Sequence, residues 1–387
     1  MPKKERREVG VGSGLATVAG LTMKILQLGN CYFGGAFREM GHEVKWASTD
    51  PGADVVLSPF LVEAKNLLAA LPADWRPDVI VMGDHSGFPK ILGLEALSIP
   101  LAWYAVDSHI HHDWHRHYSA VWDFVFVAQK EWAPLYALEP DRQTVSWMPL
   151  FCHAAHDRDL NRARTAPLVF VGTLNPAWNP DRVELMQRLQ ARYPIDVRTG
   201  AYVEIFNQAQ MVLNQSVAGD VNFRTFQAMA CGAMLVTERV GNGFEELFQD
   251  RVHCAVYEKG NVEQIVEIAR YYENHPSERE AIAACGRQAV LARHTSHHRA
   301  EALLSLIARS DVSAMVSKRL ARQAAIQGSM AQVYDVAMRS YLKAANRGEG
   351  ERKTVFYNTI ARQYAEQGLA ICRRLGPMAQ AASCPAA

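Results

Sequence analysis

One recurring unit constrains this chain more than any other feature. A short, unbroken apolar run stops at glycine or at a polar cluster, and a helical stretch follows. "KILQLGN" (24–30) is the first such run. "PDVIVMGDHSGFP" carries one at 78–83, and "IPLAWYAVDSHIHH" carries one at 99–106. "WDFVFVAQK" (122–130) and "VSWMPLF" (145–151) continue the series, while "GGAFREMGHEVKWAS" (34–48) reads as a helix ended by Gly41 and then a strand. Apolar runs this short read as strands buried on both faces. Their alternation with helices predicts βαβ units and a parallel sheet.

The stretch "CHAAHDRDLNRARTAP" (152–167) has no apolar period and reads as a linker, after which the alternation restarts. Strands are expected at "PLVFVGTL" (167–174), "IDVRTG" (195–200), "AMLVTE" (233–238) and "HCAVYE" (253–258). Helices are expected at "NPDRVELMQRLQARYP" (179–194), "NFRTFQAMACG" (222–232), "FEELFQD" (244–250) and "NVEQIVEIARYYENHP" (261–276). "YVEIFNQAQMVLNQS" (202–216) is a helix running into a short strand. From about 278 the chain is helical only, with two long stretches near 313–346 and 351–374 that resemble one repeat-type hairpin.

The organisation predicted is therefore a leader (1–22), a first Rossmann-like domain (23–152) and a linker (153–166). A second Rossmann-like domain (167–296), C-terminal helices (297–375) and a tail (376–387) complete it. The fold class is α/β: two Rossmann-like domains facing across a cleft, with a C-terminal helical extension. The leader "MPKKERREVGVGSGLATVAGLT" is rich in Gly, Ser and Thr and has no A-x-A cleavage site, so it reads as disordered rather than as a signal peptide.

Composition excludes several classes. Lys+Arg is 41 against Asp+Glu 40, which argues against nucleic-acid binding by bulk charge. No apolar run approaches the ~20 residues of a membrane span. Seven scattered cysteines, none spaced C-x-x-C, indicate a reducing, cytoplasmic setting. Between Arg309 and Arg374 stand 12 Lys/Arg and 5 Asp/Glu. Solvated helix faces account for this, and a weak peripheral contact with an anionic membrane or a protein partner is the alternative.

In open α/β sheets, ligands bind beyond the carboxyl ends of the strands. This selects Gly29 and Asn30, Asp84 and His85, and Asp107 with His109 in the first domain. In the second it selects Gly172 and Thr173, Thr199 and Gly200, Asn222 to Arg224, and the stretch from Glu238 to Gly243. "GNCYFGG" lacks the G-x-G-x-x-G spacing, and no G-x-x-x-x-G-K-[ST] occurs. Asn222 and Arg224 stand at a helix start, where free N–H groups and a guanidinium suit a diphosphate; the alternative is that Arg224 pairs with Asp220 to fix the turn. "VDSHIHHDWHRHY" (106–118) holds five histidines. His111 and His115 have the i,i+4 spacing of metal ligands, whereas Asp107, His109 and His85 suit acid/base work at the strand ends.

The segments "FVGTL", "VLNQSVAGDVNFRTFQAMACGAMLVTE", "ELFQD", "HCAVYE", "HPSEREAIAACG" and "HTSHHRAEALL" run in order over roughly 168–305. They resemble GT-B glycosyltransferases of the glycogen-synthase-like type (family 4), and more narrowly the branch named after spore maturation proteins (CgeB-like). "IPLAWYAVDS" followed by "WDFVFVAQKEWAPLY" fits the same branch. The resemblance implies a nucleotide-sugar substrate held by the second domain and a sugar, glycan, lipid-linked or protein acceptor on the first. It further implies a mostly retaining outcome and no cofactor or bound metal. The donor set it implies is Gly172, Thr173, Thr199, Gly200, Asn222, Arg224, Thr225, Gln227 and one of Glu245 and Glu246. Gly29, Asn30, Asp84 and His85 would stand on the acceptor side. One departure stands out. The wider family has two glutamates with seven residues between them; here the second is Gln227, and Gly219 holds the first position with Asp220 beside it. Gln227 keeps two rivals open, a sugar-nucleotide epimerase of the same fold and a non-catalytic binding protein. His294, His297 and His298 are read as packing or interdomain contacts.

Overall fold

Strands made of unbroken Val, Ile, Leu and aromatic residues must be covered on both faces, which is what a parallel sheet flanked by helices provides. The computed structural model describes residues 22–347 and 350–375. The first sheet has seven parallel strands. From one edge they are Val55–Val56, Glu43–Ser48, Lys24–Gly29, Val79–Gly83, Leu101–Ala105, Phe124–Val127 and Thr144–Trp147. Every residue of Val79–Gly83, Leu101–Ala105 and Phe124–Val127 is buried. The second sheet has five parallel strands in the order Asp196–Arg198, Ala166–Val171, Ala209–Asn214, Met234–Glu238 and Ala255–Tyr257.

Both sheets reverse their strand order beside their first strand in sequence. In the first sheet this switch lies between Lys24–Gly29 and Val79–Gly83; in the second it lies between Ala166–Val171 and Ala209–Asn214. Such points open a crevice at the carboxyl ends of the strands.

The stretch expected to be a linker has no helix but is firmly held. Asp157 is fully buried and accepts from Tyr202 Oη at 2.7 Å, and Arg164 donates to the carbonyls of Phe206, Ala209 and Cys231. The chain crosses back beside this segment. Cys152 and Thr295 form an isolated bridge, and buried Arg299 donates to the carbonyls of Pro149, Leu150 and Arg293 and contacts His294 Nδ1 at 2.8 Å. His298 joins Thr295 in a capping box, and His297 lies 3.6 Å from Glu39.

The long helical stretch near 313–346 divides at Arg322 into Val312–Ala321 and Gln323–Ala345, and Glu351–Leu375 packs against the latter. This hairpin lies on the first domain. Ile326, Val333, Ala337, Ile360 and Tyr364 share one core with Leu26, Trp103, Trp114 and Tyr118. Among the described residues no helix is long and apolar enough to cross a membrane. Apart from Thr22, the expected leader lies outside the described residues, as does the 376–387 tail.

Candidate functional site

The first-domain side is built on two glycines paired across the switch point. Gly29 has φ +68°, and a Cβ there would sit 2.3 Å from the Gly83 carbonyl oxygen. A Cβ on Gly83 would sit 2.1 Å from the Asn30 carbonyl oxygen. Only glycine at both positions lets the two turns touch. Asn30 Nδ2 and Tyr32 Oη then donate to the Asp84 carbonyl at 2.7 and 3.0 Å. The Asp84 carboxylate turns inward and accepts the N–H groups of Ser86, Val106 and Asp107 at 2.9–3.1 Å. Burial resists its charge, but His115 and these N–H groups outweigh that and hold the carboxyl below its ordinary range. Asp84, expected to face the acceptor, thus joins two loops at the centre of the fold. His85 lines a separate cavity with Asn30, Ser48 and Lys90.

Asp107 occupies the N-cap position of the helix Ser108–Tyr118, but its side chain caps nothing. Burial, together with the nearby Asp84 and Asp220, pushes its carboxyl up to about 7. The helix already includes His109, so the expected strand-end loop is shorter than the sequence suggests. His109 Nε2 lies 3.8 Å from Asp220 Oδ1 of the second domain, and its Nδ1 is buried without a partner.

The remaining histidines are not a polar surface. His111 breaks the helix (φ −113°, ψ 18°), and His112 packs 5.1 Å from Trp132. His115 is fully buried against Trp103, Trp114 and Tyr136, with Nδ1 3.1 Å from Tyr136 Oη, and burial pushes it down to about 3. The i,i+4 pair His111 and His115 does approach, with ring centroids 5.4 Å apart. Among the described residues, no group of three or more His, Cys, Asp or Glu is placed to hold a metal ion.

Two arginines dominate the second-domain side. Arg224 Cζ lies 4.6 Å from the Phe170 ring centroid and Arg182 Cζ 5.5 Å from it. Arg224 donates to the Val171 carbonyl and to Asn214 Oδ1; Arg182 donates to the side chain and carbonyl of Gln215. All these partners are neutral: Val171 and Asn214 end the two strands that flank the switch point, and Gln215 directly follows Asn214. Neither guanidinium forms an ion pair among the described residues. Burial and the neighbouring Arg182 lower Arg224 to about 10, so it stays charged at neutral pH. Arg224 does not pair with Asp220, which bonds Ser216 Oγ at 2.6 Å instead.

Both arginines line a cavity of about 280 Å³ with Asp220, Asn222, Phe223 and Gln227. It opens at the start of the helix Phe223–Ala230, where Asn222 is the N-cap residue and its Oδ1 is buried without a partner.

Several expected donor residues stand elsewhere. Thr225 is 1% exposed, and its hydroxyl accepts from Asn214 Nδ2, so it faces the core. Gly172 packs directly against Arg224. Thr173, Thr199 and Gly200 are exposed at strand ends, outside the arginine cavity. Glu245 pairs with Arg239, and Glu246 pairs with Lys130 of the first domain; both lie on the exposed rim rather than in the cavity. Sequence reasoning passed over Arg182, which an amphipathic helix hides as a surface residue. Glu238, which opens the selected stretch 238–243, is 2% exposed and pushed up to about 7 by burial.

The two domains are joined along one edge of the cleft. The Gln129 amide donates to the Val221 carbonyl and accepts the Val221 N–H. Glu131 and Asn242 exchange backbone-to-side-chain bonds at 3.2 and 2.9 Å, and Asn242 Nδ2 reaches the Gly219 carbonyl.

Two Rossmann-like domains that meet across a cleft at their switch points, with the chain returning to the first domain at its end, define the GT-B fold. Residues 149–305 match the protein-family model described as Glycosyl transferase-like. Solved structures with the same fold include a glycosyltransferase from Rickettsia africae (8% identity, TM-score 0.52, covering 74% of this chain and 97% of that one). Sucrose-phosphate synthase from Thermosynechococcus elongatus is similar at 12% identity and TM-score 0.52, covering 74% of this chain and 98% of that one. Anabaena HepE, solved in complex with UDP-glucose, is similar at 12% identity and TM-score 0.52, covering 74% of this chain and 100% of that one. A search of curated protein sequences finds no match.

Proposed function

We propose that the protein is a glycosyltransferase that moves a sugar from a nucleotide-sugar donor to a hydroxyl of an acceptor. The observation that carries this reading is the pair Arg182 and Arg224. Two cations are packed on one aromatic ring beside an open helix start, with only neutral partners. The cavity carries these two cations against the single carboxylate of Asp220, and a diphosphate supplies the missing negative charge.

In this reading the second domain (167–296) holds the donor through Arg182, Arg224, Asn222 and Gln227. Gln227 meets ribose hydroxyls as a neutral donor and acceptor. The first domain (23–152) holds the acceptor. The acceptor oxygen forms a bond to the anomeric carbon on the face from which the diphosphate departs, while the bond from that carbon to the diphosphate breaks, its electron pair leaving on the nucleoside diphosphate. The two arginines stabilise that developing charge. Asp107, poised near neutrality at the cleft, takes the hydroxyl proton, and His109 fixes the opposing Asp220. The resemblance to the family-4 type favours retention at the anomeric carbon, and the scattered cysteines favour a reducing, cytoplasmic setting.

A thermal-shift panel of UDP-, GDP-, ADP- and CMP-sugars tests the proposal. One donor class should raise the unfolding midpoint and be turned over to its free nucleotide with a sugar joined to an acceptor. Binding without turnover supports the non-catalytic alternative, and an isomerised free sugar supports the epimerase. No shift with any nucleotide overturns the donor reading.

A further inference from the structure

A second cavity, of about 300 Å³, lies at the carboxyl ends of the first-domain strands. That volume is at the small end of ligand sites and suits a single sugar unit. Its wall is mixed. Ser48, Thr49 and Ser58 offer hydroxyls; Asn30 and His85 border it on the Asp84 side; Lys90 is its one cationic side chain. Lys90 is half-buried, and among the described residues its ammonium has no ion pair or hydrogen bond, whereas burial works against its charge. A partly desolvated, unpaired ammonium among hydroxyls is complementary to an anionic group on a hydroxylated ligand.

The remaining wall comes from far along the chain. Tyr341, on the helix Gln323–Ala345, lines the cavity with its ring stacked on Tyr364 at 5.8 Å and 12°. The residue lies beyond the 149–305 segment that matches the glycosyltransferase-like family model. The hairpin also fixes the loop that bears Lys90: Tyr364 Oη donates to the Pro89 carbonyl at 3.1 Å, and Phe88 packs 5.8 Å from Tyr341. The same loop starts at Asp84, which holds the Asp107 N–H.

We propose that this cavity holds the acceptor, a sugar-sized hydroxylated molecule bearing an anionic group that pairs with Lys90, and that Tyr341 of the C-terminal hairpin stacks on it and sets acceptor selectivity. The proposal rests on the transferase reading above. It gives the hairpin a role in the site, beyond covering the back of the first sheet. The anionic group is a phosphate or a carboxylate, which the test separates.

The test is calorimetric titration of the full chain with glucose 6-phosphate, glucuronate and glucose, for wild type, Lys90→Met, Tyr341→Ala and Tyr341→Phe. One of the two anionic sugars should bind at least ~10-fold more tightly than glucose, the scale of a charge-assisted hydrogen bond. Lys90→Met should erase that preference. Tyr341→Ala should weaken both charged and neutral sugars, while Tyr341→Phe, which keeps the ring, should not. No binding of either anionic sugar at millimolar concentration overturns the proposal, as does equal affinity for glucose or a preference that survives Lys90→Met. Donor binding is read separately by thermal shift. Donor binding without sugar binding sinks this proposal alone; sugar binding without any nucleotide effect sinks the transferase reading.

Discussion

His109 and Asp220 meet across the boundary between the two domains, Nε2 to Oδ1 at 3.8 Å, with their side chains 3% and 12% exposed. The contact brings a second-domain carboxylate toward Asp107, which already stands beside the buried carboxylate of Asp84. Three acidic groups therefore share one poorly solvated region, and Asp107 is the one left near neutrality. As the proton acceptor, Asp107 predicts that transfer rate rises with pH through about 7. Asp107→Asn should lower kcat by ~10²–10⁴-fold, the usual weight of a general base. A pH–rate profile from 5.5 to 8.5 checks this, and a flat wild-type profile contradicts it.

The same residue makes a stability prediction of definite sign. The folded carboxyl titrates at about 7 against an ordinary 3.8. Between these values the folded state holds a proton that the unfolded state has released. Stability must therefore fall as pH rises across that window, and stay reduced above it. Asp107→Asn should raise Tm relative to wild type at pH 8 and lose most of that advantage near pH 4. Thermal melts at the two pH values read the difference directly.

Gln129 is a buried polar link between the domains, and its one amide satisfies both backbone groups of Val221. Gln129→Leu leaves a buried N–H and a buried carbonyl unpaired, at ~1–3 kcal/mol for each group. Val221 directly precedes Asn222 and the donor-side helix. The variant should therefore lower stability to denaturant and raise KM for the donor more than it lowers kcat. An unchanged KM would mean that the link does not position the helix.

Arg319 anchors the C-terminal helices to the first domain. It is fully buried, pairs with buried Asp123 and donates to the carbonyls of Leu97 and Ile99. Arg319→Met strands the Asp123 charge and should cost ~3–5 kcal/mol. Urea unfolding measures this. The double variant Arg319→Met with Asp123→Leu should recover most of the loss, because it leaves no unpaired charge.

The alternation of strands and helices was legible because parallel strands are apolar on both faces and stop where the chain must turn. The runs ending at Gly29 and Gly83 show this directly, each within a residue of the expected end, while the strand ending at Val171 stops three residues short of it. The site was legible only in part. Arg224 and Gln227, three residues apart, share the face of their helix that lines the cavity, with the N-cap Asn222 at its start, whereas Thr225 turns into the core. That distinction depends on helical phase, which a motif does not specify. Arg182 looks like any charged residue of an amphipathic helix until the sheet places Phe170 and Gln215 beside it. The histidine tract is polar in sequence yet packs largely on aromatic rings, because the Trp and Tyr partners come from other segments. Tyr341 is more than two hundred residues from the loops it faces, and nothing local marks it.

The central claim is that Arg182 and Arg224 form the cradle for a donor diphosphate. Titration of the preferred nucleotide-sugar into wild type, Arg182→Met and Arg224→Met tests it most directly. Each single variant should bind ~10–150-fold more weakly, the equivalent of ~1.5–3 kcal/mol for a hydrogen bond to a charged group, and the double variant should show no measurable binding. Affinity unchanged within about threefold in either single variant, with folding intact, would contradict the account.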